Sequence, residues 1–60
     1  MTAGELTTWR KAAGYTQPAA AAAIGIALST LRAIEQGPPA APVRRVIALA
    51  VRALQHSLKP

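Results

Sequence analysis

Apolar residues recur along the chain at helical spacing, and glycine and proline residues divide them into four segments. The first predicted helix runs from about Ala3 to Ala13. Thr2, followed three residues later by Glu5, is a capping-box pattern in which each side chain accepts a hydrogen bond from the backbone of the other residue. The apolar positions expected to face inward are Leu6, Trp9 and Ala13.

Two shorter segments follow, and only a few residues separate them. The second predicted helix covers about Gln17 to Ile24, with Thr16 as its N-cap and Gly25 as its end. The third covers about Leu28 to Gln36 and stops at Gly37. Helices of about eight or nine residues are not stable in isolation. We therefore expect the two to form a corner in which each helix supports the other.

The third predicted helix has an apolar inner side and a more polar outer side. At about 100° per residue, Leu31 and Ile34 share the inner side. The outer side consists of Leu28, Ser29, Arg32, Ala33 and Gln36. The corner would present this outer side to a partner.

A proline-containing loop, residues 37–42, precedes the fourth predicted helix, which covers about Val43 to Leu58. One face of this helix is basic, and the remaining apolar arc of about 200° is wider than one small domain can cover. We therefore expect two copies of the chain to pair through the carboxyl-terminal half of this helix. The residues expected at the homodimer interface are Val46, Leu49, Ala50, Ala53, Leu54, Ser57 and Leu58.

Composition restricts the class of protein further. The 60 residues suffice for one small domain, residues 1–60, and the predicted fold class is all-α with four helices. The formal net charge of +5 and the pI near 11.5 favour a polyanionic partner, with nucleic acid first and an anionic membrane surface second. The absence of cysteine excludes disulfides and is typical of a reducing compartment, so a cytoplasmic location is expected. Neither a signal peptide nor a transmembrane helix is predicted.

An ordered set of residues across the first three segments resembles a known family. These residues are Arg10, Gly14, Thr16-Gln17, Ala21, Gly25-Ile26, Ser29-Thr30-Leu31 and Ile34-Glu35-Gln36-Gly37. The set resembles the phage-repressor and Cro-like helix-turn-helix family, also called the XRE family of regulators. The fourth segment also resembles the fourth helix of short members, so the resemblance covers nearly the whole chain.

The resemblance implies a role for each matching position. The third helix would be the recognition helix in the major groove of double-stranded DNA, and the second would lie across the phosphates. The implied base-reading residues are Leu28, Ser29, Arg32, Ala33 and Gln36, and the implied phosphate contacts are Thr16, Gln17, Arg44 and Arg45. The resemblance further implies a structural ion pair between Arg10 and Glu35.

The chain departs from the family pattern at several positions. Ala27 stands where a serine commonly caps the recognition helix, so the start of that helix is expected to be weaker. Leu28 stands where a glutamine is common, which removes one partner for a hydrogen-bonded network with Gln17. Because the sequence ends at Pro60, the fifth helix of longer members is not expected.

Enzyme activity is not predicted. The two carboxylates are assigned to a cap and an ion pair, and His56 has no cysteine or second histidine with which to form a catalytic dyad or a metal site. His56 is therefore expected to be a solvated surface residue. No cofactor, metal or small-molecule ligand is predicted, and no membrane partner.

The sequence and the family resemblance together predict a dimeric regulator of transcription that binds a palindromic operator and acts as a repressor or autorepressor. Regulators that resemble this chain occur in phages and mobile elements, including those that accompany anti-CRISPR genes, so the resemblance implies such an origin. One alternative is an antitoxin-like module that binds a protein. The other is a basic amphipathic protein at a membrane surface, to which the fourth helix alone would be suited.

Overall fold

The computed structural model describes residues 1–57, which form four helices around one apolar core. The helices are α1 (Ala3–Ala12), α2 (Gln17–Ile24), α3 (Leu28–Gln36) and α4 (Arg45–Ser57). Within residues 1–57 the extended backbone contributes a single isolated bridge, between Thr2 and Pro42. The predicted all-α fold with four helices is confirmed for this part of the chain.

The start of α1 has the predicted capping box. The backbone N–H of Glu5 donates to Thr2 Oγ1 at 3.2 Å, and the backbone N–H of Thr2 donates to Glu5 Oε1 at 2.9 Å. The helix ends at Ala12, and Ala13 is its exposed C-cap. The expectation that Ala13 faces inward is therefore wrong, because the chain already turns away there, through Gly14 at φ 80°.

The loop before α4 holds the amino terminus of α1 through three backbone hydrogen bonds, which we call the amino-terminal clamp. The N–H of Ala3 donates to the carbonyl of Ala41, and the N–H of Gly4 donates to the carbonyl of Pro39. The N–H of Val43 donates to the carbonyl of Met1, and the donor–acceptor distance is 2.9 Å in all three bonds. The clamp corrects the predicted start of α4. Because Val43 follows Pro42 and donates to Met1, it stays outside the helix, which begins at Arg45. Arg44 therefore precedes α4, and does not lie in its first turn.

A sharp corner joins α2 to α3, whose axes are bent by 114°. Gly25 ends α2 with φ 91°, a left-handed conformation that glycine adopts without steric cost. The N–H groups of Gly25 and Ile26 both donate to the carbonyl of Ala21, at 2.9 and 3.0 Å. Ala20 and Ala21 are buried, and their small side chains allow the helices to approach closely. The observed bounds of α2 and α3 are the predicted ones.

The start of α3 has no side-chain cap, because Ala27 occupies the N-cap position with an extended backbone at φ −69° and ψ 147°. We expect Ala27→Ser to stabilise the fold by about 1 kcal/mol, since a serine hydroxyl accepts a hydrogen bond from the first turn. In a domain of this size, that gain corresponds to a rise in Tm of about 4–8 °C. Thermal unfolding followed by circular dichroism measures it.

A matched control for this variant is Ala23→Ser, which makes the same change at an exposed position inside α2. Serine is a slightly poorer helix former than alanine there, so no gain is expected. Equal values of Tm for the two variants would contradict the capping argument.

The core is built from all four helices. Its buried residues are Leu6 and Trp9 of α1, Ala20 and Ala21 of α2, Leu31 of α3, and Ile47 and Val51 of α4. Half-buried apolar side chains, among them Tyr15, pack around this cluster. The rings of Trp9 and Tyr15 lie 5.5 Å apart between centroids, tilted by 45°. The corner between α2 and α3 is thereby supported by both α1 and α4.

Part of the apolar arc of α4 faces solvent. Val46 is 72% exposed and Leu49 is 51% exposed, and Ala53 on the same face is also exposed. We call these three residues the α4 strip. Ala50 beside them is half-buried.

The other three residues predicted at the homodimer interface are Leu54, Ser57 and Leu58. Leu54 is half-buried against the core of its own chain, so only part of its side chain is available to a partner, and its interface role stays a prediction. The Ser57 side chain and Leu58 lie outside the described part of the chain, so their predicted interface roles stay predictions.

Among residues 1–57, no single helix is long and apolar enough to cross a membrane. The pair of α2 and α3 would meet the length and composition of a span only if taken together across the 114° bend.

Candidate nucleic-acid interface

The outer side of α3 presents four of the five predicted base-reading residues to solvent. Ser29, Arg32, Ala33 and Gln36 are all exposed. Within residues 1–57 the guanidinium of Arg32 makes no hydrogen bond and no ion pair. A guanidinium that is not engaged by its own chain is available for bidentate hydrogen bonds to an external group such as guanine O6 and N7.

Leu28 differs from the other four. It is half-buried and packs against the core, so less of its side chain is exposed than its place on the outer side of α3 predicts, and its contact with a base stays a prediction. The physical reason is its position at the first residue of α3, immediately after the corner, where the side chain reaches back over the apolar cluster. Only the part of Leu28 that stays exposed is available to contact a thymine methyl group.

The amino-terminal turn of α2 carries two of the predicted phosphate contacts. Thr16 is the exposed N-cap, and its Oγ1 accepts a hydrogen bond from the N–H of Ala19 at 3.2 Å. Helix amino termini attract anions through their dipole and their free N–H groups. The other two predicted phosphate contacts, Arg44 and Arg45, are both exposed at the start of α4.

Arg10 of α1 and Glu35 of α3 form a bidentate ion pair. Arg10 Nε lies 2.7 Å from Glu35 Oε2, and Arg10 Nη2 donates to Glu35 Oε1 at 3.0 Å. The side chains are only 12% and 8% exposed, respectively. Arg10 Nη1 also donates to the carbonyl of Tyr15, in the connection between α1 and α2, at 3.0 Å. One guanidinium therefore joins α1, the following loop and α3.

Gln17 is part of the same cluster, which the sequence analysis did not predict. Its side-chain Nε2 donates to Glu35 Oε1 at 3.0 Å. We call Arg10, Gln17 and Glu35 the Glu35 network. A signal for it was present in the sequence: Leu28 offers Gln17 no hydrogen-bond acceptor, whereas Glu35 is one of only two acidic side chains, and the other serves in the capping box.

The Glu35 network changes the acidity of its carboxylate. Burial raises the pKa of Glu35, but the hydrogen bonds from Arg10 and Gln17 and the positive charge of Arg10 lower it by more, so the net pKa lies below the ordinary value of 4.5. The pKa of Glu5 is also lowered, first by its hydrogen bond from the Thr2 backbone and then by the one from the Thr2 side chain.

These lowered pKa values predict acid sensitivity. A carboxylate whose pKa is lower in the folded than in the unfolded chain stabilises the fold above its unfolded pKa, and the stabilisation is lost as the pH falls through the folded pKa. We expect Tm to be nearly constant from about pH 5 to 7 and to fall at lower pH, beginning near the unfolded value of 4.5. Thermal unfolding at a series of pH values measures this.

Glu5→Gln provides the control for the acid transition, because it removes one of the two carboxylates and leaves the Glu35 network in place. Most of the acid dependence should persist in this variant. A Tm that no longer depends on pH in Glu5→Gln would show that Glu35 does not carry the effect.

Residues 1–57 contain no group of three or more side chains that could together hold a metal ion. Two open grooves lie beside α1. One runs between α1 and α4, past Trp9, Leu49 and Arg52, and the other lies beside Met1 and Pro39. Neither is lined by a residue of α3, so the outer side of α3 is separate from both grooves.

Comparison with known proteins gives a family match over most of the chain. A family model described as a helix-turn-helix domain matches residues 3–57. The matched range runs from the first residue of α1 to the last described residue of α4, and includes the α2–α3 corner. No curated protein and no solved structure matches the chain.

Proposed function

Because the chain belongs to the helix-turn-helix domain family, we propose that it is a sequence-specific regulator of transcription whose α3 enters the major groove of double-stranded DNA. The observation that carries this proposal is the 114° corner, which presents the polar outer side of α3 with Arg32, whose guanidinium makes no bond within residues 1–57. Two helices at about 90–120° are the geometry in which the second helix of such a pair reads a groove.

Direct readout is assigned to the outer side of α3. Arg32 is the principal base-reading residue, since one guanidinium can bond guanine O6 and N7 together. Ser29 can bond either a base edge or a phosphate, and Gln36 lies near the edge of the contact. Ala33 leaves space for close approach to a base pair.

Phosphate contacts are assigned to two helix starts. Thr16 and Gln17 would contact phosphate from the amino terminus of α2, and Arg44 and Arg45 would do so from the start of α4. Such contacts orient the protein on the duplex without reading sequence. The formal net charge of +5 is consistent with this role, because cationic side chains dominate the affinity for DNA and its dependence on salt.

The finer proposal is a homodimer of the phage-repressor and Cro-like type that represses by occluding a promoter in the cytoplasm of its host, for instance in a phage or mobile element. The α4 strip supports pairing, because two large apolar side chains, Val46 and Leu49, are left in solvent. A twofold dimer would read a palindrome whose half-sites lie about one helical turn apart.

Selection of DNA from a random pool tests the function. The purified protein is incubated with random-sequence duplexes at a salt concentration of about 0.15 M, which suppresses binding by charge alone, and the bound fraction is sequenced over several rounds. Enrichment of an inverted repeat with half-sites about 10 base pairs apart is the expected result. Salt-sensitive binding without enrichment would overturn the proposal and favour an antitoxin-like or membrane-surface role.

The dimer has a separate test. Val46→Glu is expected to weaken dimerisation by about tenfold or more, because it places a charge in the apolar interface, and the 72% exposure of Val46 spares the core. Gln55→Glu adds the same charge on the opposite side of α4 and should have little effect. Sedimentation equilibrium measures the two dissociation constants. Equal constants for the two variants, or a monomeric parent protein at tens of micromolar, would rule out pairing through the α4 strip.

A further inference from the structure

The Glu35 carboxylate is held from two other helices at once. Its Oε2 accepts from Arg10 Nε, and its Oε1 accepts from both Arg10 Nη2 and Gln17 Nε2. Arg10 belongs to α1, Gln17 is the first residue of α2, and Glu35 lies in the last turn of α3. The carboxylate therefore connects the far end of α3 to the start of α2.

Gln17 is suited to a second contact beyond this one. Its amide nitrogen carries two hydrogens, and the bond to Glu35 uses one of them. The residue is only half-buried and lies at the amino terminus of α2, where an anion is favoured. The remaining amide hydrogen can be donated to a phosphate oxygen while the bond to Glu35 is kept.

We propose that Gln17 is a positioning residue for sequence recognition, which holds α3 at a set distance from the phosphate contact of α2 through its hydrogen bond to Glu35. This inference rests on the proposed DNA-binding function. The corner at Gly25 fixes the two helices at the end of α2. The bond between Gln17 and Glu35 connects the start of α2 to the last turn of α3. The two helices are therefore connected at both ends, which fixes the angle between them.

Losing a positioning residue is expected to affect DNA binding differently from losing a phosphate contact. Losing a phosphate contact weakens binding to every sequence by about the same factor. Loosening α3 relative to α2 mainly misplaces the side chains that read bases, and base contacts exist only on the operator. The loss of a positioning residue therefore lowers the ratio between operator affinity and random-DNA affinity.

The test compares Gln17→Leu with Arg45→Gln on the selected operator and on a random duplex of the same length. For Gln17→Leu the affinity ratio is expected to fall by about tenfold, the size of one weakened base contact. For Arg45→Gln both affinities should fall together and leave the ratio within about twofold. A proportional loss for Gln17→Leu, or no loss, would overturn the positioning role.

A measurement on the unaltered protein keeps the proposal testable if Gln17→Leu does not fold. In nuclear magnetic resonance spectra, the Gln17 side-chain amide should shift with pH as Glu35 titrates, whereas the exposed Gln36 and Gln55 amides serve as internal controls. A Gln17 amide that behaves like these two would overturn the inference. This result does not depend on DNA, so it is distinguishable from failure of the proposed function, which would show as no preference of the unaltered protein for any sequence.

Discussion

Glu35→Ala is expected to leave the fold only marginally stable at 25 °C. Removing one partner of a buried ion pair costs about 3–5 kcal/mol, because the other charge stays buried without compensation. The 12% exposure of the Arg10 side chain places the expected loss near the lower end, at about 3 kcal/mol. A core of this size rarely supplies more than about 3–5 kcal/mol in total. The loss of this single carboxylate is therefore expected to remove most of the free energy of unfolding.

Urea unfolding followed by circular dichroism measures the effect, with Glu5→Ala as the matched control. Glu5 is exposed and serves only the capping box, so its variant should stay folded with a smaller loss. The double variant Arg10→Met, Glu35→Leu should recover part of the stability, since it removes both charges of the pair together. A Glu35→Ala protein with a urea midpoint near that of the unaltered chain would refute this account of the ion pair.

Arg32→Ala is expected to abolish recognition at one base pair in each half-site. A bidentate contact between arginine and guanine contributes about 1–3 kcal/mol of discrimination, which corresponds to a factor of about 5 to 150 in affinity at each half-site. Because Arg32 is exposed and makes no internal bond within residues 1–57, the stability of the fold should be unchanged. Competition between the selected operator and single-base variants of it measures the discrimination.

Arg52→Ala is the control for charge, since it removes an exposed arginine from α4 and leaves α3 untouched. It should weaken binding to all sequences to a similar, small extent. If Arg32→Ala and Arg52→Ala lost affinity in parallel on every competitor, the contribution of Arg32 would be charge alone. The base-reading assignment would then have to move to Ser29 or Gln36.

The helix bounds that could be predicted from the sequence are those set by residues close to them along the chain. The bounds of α2 and α3 follow from Thr16, which accepts a hydrogen bond from the third residue of α2, and from Gly25, which alone at this corner adopts a positive φ. The capping box of α1 is equally local. Each of these signals acts within four residues, so no tertiary contact was needed to interpret it.

What could not be predicted depends on contacts between distant residues. The helix α4 starts at Arg45 and not at the predicted Val43, because the N–H of Val43 donates to the carbonyl of Met1, 42 positions earlier in the chain. Leu28 lies on the polar side by periodicity, yet after the bend at the corner it is half-buried and packs against the core. The bond of Gln17 to Glu35 spans 18 residues and depends on the angle between two helices, which helical periodicity does not contain.

The amino-terminal clamp provides hydrogen-bond partners for the first backbone N–H groups of α1. The first N–H groups of a helix normally have no partner in the chain, and helix ends open and close more easily than helix centres. Here the N–H groups of Ala3 and Gly4 donate to carbonyls of the loop before α4, and Met1 accepts from that loop in return. Opening the end of α1 therefore also releases the loop that leads into α4. The first turn of α1 should consequently resist fraying, and its amide hydrogens should exchange with solvent at rates typical of the core.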